Sequence, residues 1–404
     1  MAEHAMTGPV PDAAERDVPA LRAAEPLPWT LRKPVVEKPA GWDYGYLEGN
    51  ELHPSSPQEL RDRARHGQPL HMVWTPASRW LVWPEEVPEV FGELRTTSLA
   101  AAKQRIRGPL AGFVALLLAN AVVWAASGPA PLLLVLLGIA VIWLAAGAYT
   151  LRSARHLTPA SFRASVEDAV HGSWAASRPV PWTQGIAVCL GVVYAAQFFN
   201  PGSEGVAELV KPLVWQGQGW RLFTATLMHA HILHFYFNLT ALLALGRLAE
   251  VHSHRSYVPL VFLAAALTGS IFSLFLMPNT PSVGASGAIL GLTGFLVVIA
   301  RRRRNVLPPG FLRMMAFDVG GVVALGIFGF GIIDNAAHLG GFLGGMAVGF
   351  LLVPSGESRP TVGWEPSPAV SAAGWASLAV LAIGALATTT LIVTAGKPGS
   401  LLGS

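Results

Sequence analysis

The sequence predicts an all-α polytopic membrane protein, and three observations predict it. Of 404 residues, 52% are hydrophobic and only 13% charged, against about 25% charged in soluble domains. Nine apolar runs follow one another, at about 109–127, 130–151, 181–199, 226–247, 256–277, 284–300, 311–332, 335–353 and 371–395. Each is near the roughly 20 residues that cross ~30 Å of hydrocarbon as a helix. None alternates at period two, as a barrel strand would.

The charge is unevenly placed. Residues 1–108 hold 15 of the 24 acids, which marks a soluble region ahead of the membrane segments. Its first thirty residues are rich in Ala, Pro and Glu and read as disordered. They contain no apolar core, so no cleavable signal peptide is expected. Residues 31–95 carry Trp74, Trp80 and Trp83 among Val, Leu and Pro. They read as a small soluble module or a membrane-facing aromatic segment. The net charge of +4 comes without a basic patch interleaved with aromatics, so no nucleic-acid partner is expected. Cys189 is the only cysteine; an intrachain disulfide and a Cys-rich metal site are excluded.

The runs divide the chain. A transmembrane hairpin at 109–151 turns tightly at Gly128, Pro129 and Ala130. A cytoplasmic linker at 152–180 leads to a six-helix core at 181–353. A second linker at 354–370 precedes a last helix and tail at 371–404. Basic residues set the orientation. Lys103, Arg105 and Arg107 precede the first helix, and Arg152, Arg155, Arg163 and Arg178 the third. Arg247 and Arg255 follow the fourth, and Arg301 to Arg304 the sixth. With nine spans all four clusters fall on one side. The N-terminus is then cytoplasmic and the C-terminus external, in a multi-pass protein of the plasma (cell inner) membrane.

Two segments carry most of the chemistry. Gly284-Ala285-Ser286-Gly287 opens the sixth helix, and Ala337-His338-Leu339-Gly340-Gly341 opens the eighth. Both helices run outside to inside. At 1.5 Å per residue, Ser286 and His338 lie at matching depth, within roughly 6 Å of the outer edge. Gly287, Gly291 and Gly294 line one helix face, and Gly341, Gly345 and Gly349 line the other. Glycine stripes let backbones approach closely in lipid. Close approach can bring a weakly nucleophilic Ser hydroxyl to a base that takes its proton. Glycine packing alone is the plainer reading, and it is compatible with the catalytic one. In the fourth helix His234 and Asn238 are four apart and share a face. A polar side chain at that depth is a functional candidate, because acyl transfer needs donors aimed at a developing oxyanion.

The set H-x-x-x-N, G-x-S-G and A-H-x-x-G, in that order on three helices, resembles the rhomboid proteases. Trp220-Arg221, before the fourth helix, looks like that family's W-R pair. The resemblance covers about residues 181–353. The two helices before this core and the one after it are additions, and the N-terminal ones are less familiar. The resemblance implies a Ser–His dyad, with Ser286 as nucleophile and His338 as base. It implies an oxyanion hole of Asn238, His234 and the Ser286 backbone N–H, with support from Gly284 and Gly287. It implies a serine endopeptidase that cleaves transmembrane protein substrates within or beside the bilayer, using no metal and no cofactor. Leu290 stands where the family often has an aromatic residue.

Other residues stay open. Asp334 is either the N-cap of the eighth helix or a third member orienting His338, and the cap is favoured. His229 either supports the first loop or is merely interfacial. Asp318, inside the seventh helix, reads as part of a polar interior, a proton pathway or a water-filled gate. Two rival functions are an inactive relative that escorts membrane clients and a transporter coupled through Asp318. Such inactive relatives lack the Ser or His, and the sequence shows no inverted repeat.

Overall fold

The apolar runs fold as helices. The computed structural model describes residues 27–395, except 32, 34, 35, 49, 50, 129, 130, 330, 332 and 355–361. Most of the stretch expected to be disordered, the second residues of the tight turn, the heart of the second linker and the C-terminal tail lie outside the described residues.

The Trp-rich segment is a small module with its own core. Strands β1 (Tyr44–Glu48), β2 (Glu51–Ser55) and β3 (Met72–Trp74) form an antiparallel sheet in the order β2-β1-β3. Helix α1 (Pro57–Arg65) is capped by Ser56, whose side chain accepts from Glu59 N–H, as a good N-cap does. Tyr46, Leu60, Val73 and Val90 are buried together. Trp74 is fully buried, with Trp42 edge-on at 5.9 Å.

Helix α2 (Pro88–Ser127) begins well before the apolar run expected from 109. It has 40 residues, about 60 Å of helix and twice the hydrocarbon thickness. The charged stretch through Lys103, Arg105 and Arg107 belongs to the same helix as the apolar one. Composition marks where a helix leaves hydrocarbon, not where it begins. Helix α3 (Pro131–Arg155) returns beside it, and Asn120 Nδ2 donates to Leu133 O at 3.1 Å.

Helix α4 (Pro159–Ala176) is a strut. Arg163 pairs with Glu85 at 2.8 Å and Glu86 at 3.1 Å on the module side. At its other end His171 Nε2 meets His252 Nε2 at 2.8 Å on the core side.

The core follows. Helix α5 (Pro181–Phe199) leads to a loop with three short helices, α6 (Glu204–Ala207), α7 (Lys211–Trp215) and α8 (Arg221–Thr224). Then come α9 (Ile232–His252), α10 (Tyr257–Leu276), α11 (Ser286–Arg302), α12 (Phe311–Phe328), α13 (Asn335–Leu352) and α14 (Pro368–Ala395). Among the described residues, eight helices have the length and apolarity to cross a membrane. The expected sixth run forms α11, which is one residue shorter than the shortest of these, at 17. It is also the innermost helix, with 13 of its 17 residues buried. It packs against α10 and α13 most closely, with α9 and α12 on its other sides. The chain is thus an all-α polytopic membrane protein with one small sheet ahead of the bundle.

Candidate active site

Glycine sets how closely α11 and α13 meet. A Cβ on Gly341 would strike the carbonyl of Gly287, and one on Gly345 the carbonyl of Gly291. A Cβ on Gly294 would strike Phe342 O, and one on Gly287 would come within 2.9 Å of Ala337 O. These are backbone atoms, which cannot swing aside. The two helices therefore touch main chain to main chain, as the paired stripes predict.

The contact delivers Ser286 to His338. Ser286 is the first residue of α11, after Ala285 at its N-cap. His338 is the fourth residue of α13. Ser286 Oγ lies 2.8 Å from His338 Nε2, a normal hydrogen bond. For Nε2 to accept from the hydroxyl, the ring proton must sit on Nδ1. That nitrogen is buried, and no hydrogen-bond partner reaches it among the described residues.

Asp334 is the cap. Its Oδ1 accepts from Ala337 N–H at 2.8 Å. Its Oδ2 accepts from the hydroxyls of Ser273 and Ser282. Neither oxygen bonds to the ring nitrogen of His338, so a third triad member is not assembled here.

Helix α9 places His234 at the site and Asn238 close behind it. Gly284 has φ +123°, a conformation that side chains other than glycine rarely adopt. A Cβ there would also lie 2.6 Å from His234 Cε1. The imidazole therefore packs against the residue two before Ser286, with Cε1 and Nε2 nearest. Asn238 is buried, and its amide donates to His234 O at 2.9 Å along its own helix. An amide carries two N–H donors, and this bond uses one.

His229 is wholly buried, packed against the rings of Tyr194, His234 and Phe235. Gln197 accepts from His229 N–H and donates to His229 O, both at 3.0 Å. Gln197 was not singled out by sequence, because an amide at one end of an apolar helix carries no pattern.

The preceding loop is held from within. Arg221 is buried and donates to Glu208 O at 2.7 Å and Gly205 O at 3.1 Å. Its guanidinium lies 4.7 Å from the Trp220 ring centre, a cation–π distance. Trp215 is exposed and meets Phe275 edge-on at 5.8 Å. Gly284 N–H donates to Ala225 O at 2.9 Å, which ties the segment leading into Ser286 to this loop. A small cavity beside Ser286 is lined by Ala266, Gly269, Ser270, Val283 and Gly287.

Leu290 is buried on α11. Asp318 is half-buried on α12. No three His, Cys, Asp or Glu side chains cluster as metal ligands would, among the described residues.

Residues 216–355 match the family model of the rhomboid domain. That segment spans the loop end, α9 to α13 and both helices of the Ser286–His338 contact. The chain carries a rhomboid-family domain. Over 155 residues it is 37% identical to the rhomboid protease GluP of Bacillus subtilis, covering 36% of this chain and 30% of that protein. It is 35% identical over 175 residues to RHOMBOID-like protein 2 of Arabidopsis thaliana, covering 42% of this chain and 53% of that protein. Rhomboid-like protease 1 of Toxoplasma gondii is 30% identical over 176 residues, covering 43% of this chain and 57% of that protein. The chain spans from about a third to just over half of the length of these relatives. The module, the α2–α3 hairpin and the α4 strut lie outside the matched rhomboid domain.

Proposed function

We propose that this protein is an intramembrane serine endopeptidase, with Ser286 as nucleophile and His338 as general base and then general acid. The observation that carries the reading is the 2.8 Å contact between Ser286 Oγ and His338 Nε2, on two helices that only glycine allows to meet. In the proposed reaction Nε2 takes the hydroxyl proton as Oγ attacks the scissile carbonyl. The same proton passes to the leaving amine, and an acyl-enzyme remains. A water then attacks the acyl carbon as His338 takes its proton, and that proton passes to Ser286 Oγ as the acyl–oxygen bond breaks and the acid leaves.

The developing oxyanion needs preorganised donors. Ser286 stands at the first position of α11, where backbone N–H groups have no intrahelical partner. That N–H, the second N–H of Asn238 and the His234 ring are the proposed donors. Gly284 and Gly287 support the site by letting His234 and α13 lie against the nucleophile segment. With Asp334 engaged at the cap, the base works as one half of a dyad.

The proposed substrates are transmembrane proteins, cleaved within or beside their spans. The proposed setting is the plasma (cell inner) membrane, with residues 1–108 cytoplasmic and the C-terminus external, an orientation supported by the basic clusters flanking the spans.

Labelling with a serine-reactive fluorophosphonate tests the reading. Purified wild type is expected to label and to cleave a helix-anchored substrate, and Ser286→Ala to do neither. Cleavage that persists in purified Ser286→Ala sinks the assignment.

A further inference from the structure

Lys211 opens α7 in the loop between α5 and α9, and its side chain is 1% exposed. A buried ammonium is costly unless it is paired and hydrogen-bonded. Lys211 Nζ donates to Thr280 O and, at 2.6 Å, to Ser282 Oγ. Ser282 Oγ donates in turn to Asp334 Oδ2, as does Ser273 Oγ. Asp334 Oδ1 already accepts from Ala337 N–H. Each Ser hydroxyl has one proton to give. The Ser282 hydroxyl accepts from the ammonium and gives its proton to the carboxylate. The two charges are thus joined through a single hydroxyl.

The two ends of this relay are the two segments that deliver the dyad. Ser282 lies four residues before Ser286, and its backbone is bridged to the same loop. Leu209 N–H donates to Ser282 O at 2.9 Å, and Ser282 N–H to Leu209 O at 3.3 Å. Asp334 caps α13 and accepts from His338 N–H through its own carbonyl at 3.1 Å. Movement at Ser282 carries Ser286 Oγ with it, and movement at Asp334 carries His338. The glycine contacts fix how near α11 and α13 lie. They do not fix the approach of the chain into α11.

We infer that Lys211 is a positioning residue, which locks the segment leading into Ser286 onto the N-cap of α13 through Ser282 and so sets the Ser286–His338 distance. It touches neither reacting atom. The inference rests on the dyad reading above. A purely structural lysine would lower the stability of the fold and leave the turnover of folded enzyme unchanged.

The test uses the full chain in detergent, with Lys211→Met, Lys211→Arg and the double variant Lys211→Met/Asp334→Asn. Three quantities are read on folded protein: kcat and KM for a helix-anchored substrate, the rate of fluorophosphonate labelling, and amide hydrogen exchange. Lys211→Met is expected to lower kcat and the labelling rate together by roughly 10- to 100-fold with KM unchanged, since a 1 Å misplacement can cost ~100-fold. Lys211→Arg is expected to restore most of that loss. Exchange is expected to rise together at 280–287 and 334–338. Removing one partner of a buried charge pair is strongly destabilising. If Lys211→Met does not fold, the double variant decides, because it removes both charges while Asn keeps a good N-cap. Wild-type kcat in a folded variant lacking the lysine overturns the inference. So does increased exchange confined to 208–216. If the wild type neither labels nor cleaves, the dyad reading fails, and the exchange pattern alone decides whether Lys211 holds the two segments together.

Discussion

Two helix contacts in this protein are built from opposite materials. Helices α11 and α13 meet main chain to main chain, with Gly341 on the carbonyl of Gly287 and Gly345 on that of Gly291. Helices α3 and α12 meet mostly through side chains. Tyr149 is edge-on to Phe317 at 5.0 Å, and Arg313 lies 5.6 Å from the Tyr149 ring centre. Glycine is present at both contacts, but it does different things. A Cβ on Gly320 of α12 would meet nothing within 4 Å, and one on Gly321 would meet Ile142 at an ordinary 3.5 Å. Only Gly138 of α3 makes a tight seat, for the Phe328 side chain. At α11–α13 the partner of Gly341 and of Gly345 presents backbone, which cannot swing aside as a side chain can. The first contact sets how near the helices bearing Ser286 and His338 can lie. The second holds an added hairpin against the rhomboid domain through groups that can adjust.

The strongest way to break this comparison is to place the same side chain at both contacts. Gly345→Val must push α13 away from α11, since the obstructing atoms are main chain. Displacement of about 1 Å costs a positioned reaction ~100-fold, and a branched side chain demands more than that. Cleavage is expected to fall below detection, with a lowered melting temperature in detergent. Gly320→Val is expected to leave turnover intact and to fold normally. Similar turnover in the two variants would remove the claim that the α11–α13 spacing is what glycine provides.

Asn238→Ala sharpens the same contact chemically. It changes no helix spacing and removes one proposed donor to the oxyanion. Turnover is expected to fall by about 10²–10³-fold, the loss seen when one such donor is removed. KM is expected to hold, because the interaction is made in the transition state. An unchanged kcat takes Asn238 out of the oxyanion hole and leaves it as the residue that bonds His234 O.

The two contacts also differ in how far they can be read from sequence. Ser286 and His338 are legible because each opens an apolar run, so their depth follows from counting residues. The paired stripes are legible because Gly341, Gly345 and Gly349 keep a strict four-residue spacing, which is one face of a helix. Asp334 is legible as a cap, since Asp-Asn-Ala-Ala is a good helix start. Lys211 is not. In Glu208-Leu209-Val210-Lys211-Pro212 it reads as ordinary loop charge, and its partner Ser282 is 71 positions away. The start of α2 at Pro88 is also hidden, because hydropathy reports the solvent and not the backbone. Nothing local says that the hairpin will choose α12 as its neighbour. That choice depends on side chains from two distant segments fitting together.

The α3–α12 contact gives the smallest effect and the cleanest check on what the hairpin is for. Tyr149→Ala removes the aromatic pair with Phe317 and the ring under Arg313. An aromatic pair contributes about 0.5–1.5 kcal/mol beyond its buried area, and a cation–π contact at an exposed site about 0.5–1 kcal/mol. A modest loss of thermal stability is expected in detergent, with kcat on a helix-anchored substrate close to wild type. Neither Ser286 nor His338 lies on α12; they open α11 and α13. A large fall in kcat without a matching fall in stability would mean that the hairpin acts on the site through α12. The two contacts would then be mechanically joined, and the side-chain packing of α3 would have to be counted among the parts that hold the dyad.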